Sequence, residues 1–114
     1  MKLSIVIPVF NEEESIRELY LQIKDALKEK SEYEIIFIDD GSSDNSKKNI
    51  NALINQDSNV RLISFYRNFG KSAALSEGFK HASGDIIITM DADLQDDPNE
   101  ITNLINKINE GFDL

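Results

Sequence analysis

The chain has 114 residues and no cysteine, with 21 acidic against 12 basic residues and a formal net charge of −9. That length holds one domain with a real core. The lack of cysteine excludes disulfide frameworks and thiolate metal sites, and suits a reducing compartment. The acidic balance excludes a broad basic footprint, so no nucleic-acid partner is expected.

The first apolar run, Leu3–Val9, reads as a strand. It breaks at Pro8 and turns acidic by Glu12, too soon and without the small-residue cleavage site of a secretory signal. The next segment places Ile16, Leu19, Ile23 and Leu27 three or four apart, the stripe of an amphipathic helix. Asn11 is the expected cap of that helix, with Glu14 completing a capping box.

A second strand is expected over Glu34–Ile38, followed by a helix that starts near Ser43 or Asp44 and carries Ile50, Leu53 and Ile54. The third strand covers Val60–Phe65. The third helix runs from about Lys71 to His81, with Ala74, Leu75, Gly78 and Phe79 inward. The only histidine, His81, stands at a helix C-terminus, where partial positive charge is favoured. The fourth strand, Asp85–Met90, precedes a helix with Asp97 as cap, Pro98 at its first position, Glu100 in its first turn and Gly111 after its end. Ile101, Leu104, Ile105 and Ile108 make the apolar stripe of that helix.

The strands are apolar on consecutive positions, the pattern of a sheet covered on both sides. The order β-α-β-α-β-α-β-α therefore predicts an α/β fold, a mainly parallel sheet of about four strands with helices on both faces. No stretch approaches the ~18 apolar residues of a membrane span, so the chain as given is expected to be soluble. An exposed sheet edge would invite pairing between copies, a route to a homo-oligomer.

Every polar cluster follows a strand: Pro8-Val-Phe-Asn-Glu-Glu-Glu14, Asp39-Asp-Gly-Ser-Ser-Asp44, Tyr66-Arg-Asn-Phe-Gly-Lys71 and Asp91-Ala-Asp-Leu-Gln-Asp-Asp97. Parallel strands bring their carboxyl ends to one edge, where open α/β sheets bind ligands. Helix capping would account for Asn11 to Glu14, and turn formation for much of the second cluster, as well as ligand binding does. Asp91 and Asp93 are different, since no cap explains both. On an extended strand end, carboxylates two residues apart face one side. They could share a hard cation such as Mg²⁺ or Mn²⁺ with a diphosphate, Gln95 adding a neutral oxygen.

Other phosphate motifs fail. Gly70-Lys-Ser72 would need a glycine at position 65 to complete a P-loop, and Phe65 stands there. No G-x-G-x-x-G follows a strand. Asp91-Ala-Asp93 and Ile38-Asp-Asp40 occupy the wrong strands for a haloacid-dehalogenase phosphatase and a receiver domain, respectively.

Taken together, Ile7-Pro-Val-Phe-Asn-Glu12, Ile36-Phe-Ile-Asp-Asp-Gly-Ser-Ser-Asp44, Gly84-Asp85 and Met90-Asp-Ala-Asp-Leu-Gln95 resemble the N-terminal, Rossmann-like nucleotide-binding half of a family 2 glycosyltransferase of the GT-A fold. Arg67-Asn-Phe-Gly-Lys-Ser-Ala-Ala74 and Asp91-Ala-Asp-Leu-Gln-Asp-Asp-Pro98 resemble the subgroup that transfers sugars to polyprenyl phosphates, which includes dolichyl-phosphate mannose synthases. The resemblance covers essentially the whole chain. It implies an inverting transferase whose partners are a nucleotide-diphosphate sugar, preferably UDP-linked with GDP as the alternative, and a lipid-phosphate acceptor at the cytoplasmic face of a membrane. Pro8, Phe10 and Glu12 would line the nucleoside pocket, and Ile38 and Asp40 would hold base or ribose. Asp91 and Asp93 would be the DXD pair for sugar nucleotide and metal, with Gln95 as a further ligand, while Arg67 and Lys71 would help with phosphate charge. The general base and the acceptor half would lie beyond Leu114, so the chain alone is expected to transfer no sugar. The alternatives are a truncated domain that binds nucleotide or a partner without catalysis, and an unrelated phosphohydrolase using Asp91 and Asp93.

Overall fold

A computed structural model describes residues 2–28 and 32–94, together with 100, 103, 106 and 107. Its elements are β1 (Leu3–Val9), α1 (Ile16–Ala26), β2 (Tyr33–Asp39), α2 (Ser46–Gln56), β3 (Val60–Ser64), α3 (Lys71–His81) and β4 (Ile86–Thr89). Residues 100, 103, 106 and 107 are helical, while the expected cap Asp97, Pro98, the apolar stripe and Gly111 lie outside the described residues.

All strand pairs are parallel, in the order β3-β2-β1-β4. The chain builds outward from β1 through β2 to β3, then crosses back to place β4 on the other side of β1. Helices follow from that path. Successive right-handed crossovers put α1 and α2 on one face of the sheet, and the reversal puts α3 on the other.

The strands record this division in their alternation. Leu3, Ile5, Ile7 and Val9 of β1 and Ile35 and Phe37 of β2 pack with Ile16, Leu19, Ile23, Ile50 and Leu53 of α1 and α2. Val6, Ile36 and Ile38 turn the other way, against Ala74 of α3. Apart from the half-buried Pro8 and Tyr33, each side chain of β1 and β2 is therefore buried whichever way it points, which is why these strands read as largely apolar runs.

The α3 face is thin because small residues let the helix sit close. A Cβ added at Gly78 would stand 2.4 Å from Val6 Cγ1 and 3.0 Å from Ile38 Cδ1. Contact along Ala74 and Gly78 turns the next position aside, and Phe79, expected to face inward, is 48% exposed.

Two expected caps differ as well. The N-cap of α1 is Ser15, not Asn11, and Asn11 adopts a left-handed φ of 53° outside the helix. Its Oδ1 accepts hydrogen bonds from the amides of Ser43 at 2.8 Å and Asp44 at 3.4 Å, so it bridges two loops rather than capping a helix. The capping box with Glu14 is consequently absent. The second helix begins at Ser46, with Asn45 as N-cap, and the Asp44 carboxylate receives the Ser46 amide at 2.9 Å. Among the described residues, no helix is long and apolar enough to cross a membrane.

Candidate functional site

The reversal of strand order falls between β1 and β4, and the crevice at the carboxyl ends of such strands is where open α/β sheets take ligands. A cleft of about 260 Å³ opens there, lined by Pro8, Phe10 and Glu12 after β1, Asp40 after β2, Lys71 at the start of α3, and Asp91 and Asp93 after β4. An adjoining hollow of about 330 Å³ shares Pro8, Lys71 and Asp91 with it.

Each wall is held by bonds between loops. Beyond Asn11, the Glu12 amide donates to Ser46 Oγ at 2.9 Å and the Glu13 amide to Asp44 at 3.2 Å. The Asp44 carboxyl lies below its ordinary value: burial works upward, but hydrogen bonds from the Ser46 hydroxyl and from the backbone amides of Ser46 and Glu13 outweigh it. The first loop is thus clamped to the second, and Phe10 is left 48% exposed at the cleft mouth.

Asp40 performs a similar service for the third loop. Its Oδ1 accepts from the Phe69 amide at 2.7 Å, and its Oδ2 from the Gly70 amide at 3.1 Å and Asn68 Nδ2 at 3.0 Å. These donors open α3, so a buried carboxylate sits against the positive end of that helix. Gly41 makes the approach geometrically feasible. At φ 72° it occupies the left-handed region, and a Cβ there would stand 2.2 Å from the Arg67 carbonyl carbon.

After β4 the expected extended geometry gives way to a turn at residues 92 and 93. Ala92 is buried in the main core, and its carbonyl accepts a 2.5 Å hydrogen bond from Ser15 Oγ. The Ser15 hydroxyl thus donates across to the fourth loop and makes no side-chain cap bond to α1. With Ala92 anchored inward, its two neighbours Asp91 and Asp93 both line the cleft. Leu94 then takes a left-handed φ of 65°, a costly conformation for a leucine, and packs partly buried against the main core.

The structure therefore brings Pro8, Phe10, Glu12, Asp40, Asp91 and Asp93 to one place, with Lys71 among them. Ile38 is not there: it is fully buried between the sheet and α3, because its position in β2 points it to the opposite face from Phe37. Gln95 lies outside the described residues. Arg67 does not line the cleft either. Its guanidinium lies 4.7 Å from the Phe69 ring centroid and 5.6 Å from that of Tyr66, in cation–π range. Lys71 Nζ lies 2.5 Å from Asp91 Oδ1. Sequence reasoning passed over Ser15, whose role depends on a partner 77 residues away.

Two carboxylates are hard oxygen donors of the type Mg²⁺ and Mn²⁺ prefer. Among the described residues there is no cluster of three or more acidic, histidine or cysteine side chains able to cage an ion. Mg²⁺ can be held by one or two carboxylates when water and phosphate oxygens complete its shell. Asp91 and Asp93 thus suit such an ion.

The fold and cleft define an open α/β domain with an acidic site at its strand switch point. Residues 4–114 match the model of Glycosyl transferase family 2, and the chain belongs to that family. It is 47% identical over 115 residues to the undecaprenyl-phosphate 4-deoxy-4-formamido-L-arabinose transferase of Proteus mirabilis, a match covering 99% of this chain and 35% of that protein. The chain thus spans about a third of the length of such relatives. Among solved structures, S. aureus TarS 1-349 in complex with UDP-GlcNAc superposes with a TM-score of 0.79 at 25% identity, covering 96% of this chain and 32% of TarS. Glucosyl-3-phosphoglycerate synthase from Mycobacterium tuberculosis, in complex with Mn²⁺, UDP and glucosyl-3-phosphoglycerate, gives a TM-score of 0.74 at 27% identity, covering 94% and 39%.

Proposed function

We propose that the cleft is the donor site of a glycosyltransferase that moves a sugar from a nucleotide-diphosphate sugar to a polyprenyl phosphate, with inversion, at the cytoplasmic face of a membrane. The observation that carries this reading is the meeting of Asp91, Asp93, Asp40, Glu12, Phe10 and Pro8 in one cleft at the strand switch point. The lipid-phosphate acceptor is supported by the Proteus mirabilis relative, whose name specifies undecaprenyl phosphate. A UDP-linked donor is supported by the UDP-GlcNAc and UDP complexes of the two structural neighbours, and Mn²⁺ by the second of them.

The roles follow from position. The exposed ring of Phe10 and the rigid Pro8 offer a flat wall for a base. Asp40 fixes the third loop and the start of α3, and so would shape the wall of the cleft that meets base or ribose. Asp91 and Asp93 would hold the divalent cation, with Gln95 as a further ligand. Bound there, the cation would supply charge neutralisation for the departing nucleoside diphosphate. The buried Ala92 and its bond to Ser15 keep the two carboxylates oriented before the ligand arrives, a preorganisation that lowers the cost of binding.

The test is titration calorimetry of UDP and of GDP into the chain, with and without Mn²⁺, repeated on Asp93→Ala. Metal-dependent binding of one nucleotide, lost in the variant, is the expected result. Equal binding by the variant would place the diphosphate elsewhere.

A further inference from the structure

We propose that Lys71 is the resident counter-ion of Asp91, displaced when a divalent cation takes that carboxylate and thereby released to the diphosphate, so that one side chain couples cation binding to donor binding. The inference rests on the donor-site reading and adds a competition that the reading does not require.

Charge balance in the cleft poses the problem. Its walls carry Glu12, Asp40, Asp91 and Asp93, and Lys71 is the one cationic side chain lining it among the described residues. A nucleoside diphosphate entering this space meets carboxylates, while the lysine that could receive it is engaged with Asp91 at 2.5 Å. An ammonium at that distance and a cation about 2.0–2.1 Å from the same oxygen would repel each other. One must leave.

The geometry favours the lysine as the one that moves. The Lys71 and Asp91 side chains are 61% and 48% exposed, so their ion pair lies in the weak, solvent-screened class and breaks at small cost. The backbone of Lys71 stays in place, because the preceding amides of Phe69 and Gly70 are gripped by Asp40. Four flexible methylenes then let the ammonium swing about a fixed Cα. Lys71 borders both the cleft and the adjoining hollow, which gives it room to leave Asp91 and still face the cleft. Before the ligand binds, the pair also restrains Asp91 against repulsion from its acidic neighbours. Coupling of this kind is reciprocal: cation binding frees a phosphate ligand, and a bound diphosphate withdraws the cation's competitor.

The experiment titrates Mn²⁺ alone into the wild-type chain, Lys71→Gln and Asp93→Ala, following free Mn²⁺ by electron paramagnetic resonance. UDP is then titrated at saturating Mn²⁺. Removing the competitor should tighten Mn²⁺ binding about 1.5- to 5-fold in Lys71→Gln, the range spanned by exposed ion pairs. The same substitution should weaken binding of UDP in the presence of Mn²⁺. A lysine that only served phosphate would weaken the second without strengthening the first. Mn²⁺ affinity unchanged or reduced in Lys71→Gln, with UDP binding intact in the wild type, overturns the competition and leaves the donor site standing. No binding of Mn²⁺ or of UDP to any of the three overturns both.

Discussion

At the amino end of the sheet, Glu34 is 4% exposed and both its carboxylate oxygens are spoken for. Ser4 Oγ donates to it at 2.6 Å, Arg61 Nη1 at 2.8 Å, and the Ser83 amide and hydroxyl at 2.7 and 3.0 Å. At the carboxyl end, Asp91 is half exposed and pairs with the exposed Lys71 ammonium, and Asp93 is exposed. Glu34 is thus enclosed at one end, while Asp91 and Asp93 are presented at the other. A carboxylate whose lone pairs are filled by the fold ties the starts of β1, β2, β3 and β4 together and has nothing left for a ligand. Carboxylates set in a cleft beside a displaceable cation are suited to bind from solution.

The comparison can be broken most forcefully at Glu34. Replacing it with alanine removes the acceptor of the buried Ser4 hydroxyl and of the Ser83 amide, and should cost about 2–3 kcal/mol in denaturant unfolding, since donors are left without a partner. UDP affinity measured with Mn²⁺ should remain as in the wild type. A loss of nucleotide binding without unfolding would show that the two ends are not independent.

Acid should reveal the same group without mutation. Burial alone would raise the Glu34 carboxyl, but hydrogen bonds from Ser4, Ser83 and Arg61 overcome it and lower it from 4.5 to about 2. A folded value below the unfolded one means stability is fully present above about pH 4.5 and is lost as pH falls toward 2. The contribution is on the order of 3 kcal/mol. Urea unfolding between pH 5 and pH 2 should show that fall in the wild type and a much flatter profile in Glu34→Gln.

A smaller effect is expected where the α3 face meets the sheet. Gly78→Ala places its methyl 2.4 Å from Val6, and should destabilise the chain by about 1–3 kcal/mol in thermal unfolding. The smallest stability change belongs to Ser15→Ala, about 1 kcal/mol for one hydrogen bond. Its larger consequence lies in the cleft, where the turn that orients Asp91 and Asp93 loses its anchor. UDP binding with Mn²⁺ should weaken several-fold, and calorimetry would check it.

The sequence showed the two ends unequally, for a physical reason. Strand ends are legible because apolar runs stop where polar residues begin, and parallel connectivity then gathers those stops at one edge. Asp91 and Asp93 stood out on that basis, and α3 spans Lys71–His81 as expected. The Glu34 cluster left no such mark. It reads as one acid at the start of an apolar strand, and its donors come from Ser4, Arg61 and Ser83, separated from it by 30, 27 and 49 residues. Asn11 misled for a related reason, since the side chain that caps a helix also bridges two loops, and only the fold decides which amides it meets. Phe79 was misplaced because helical spacing gives the direction of a stripe but not how closely a glycine lets the helix approach.

The central claim, that one end serves stability and the other serves ligand, is tested most directly by thermal unfolding of wild type, Glu34→Gln and Asp93→Asn, each with and without UDP and Mn²⁺. Ligand binding to the native state should raise the wild-type Tm. The account predicts that Glu34→Gln lowers the unliganded Tm but keeps the ligand-induced rise, whereas Asp93→Asn keeps the unliganded Tm and loses the rise. An Asp93→Asn chain that melts early and still responds to ligand would contradict it.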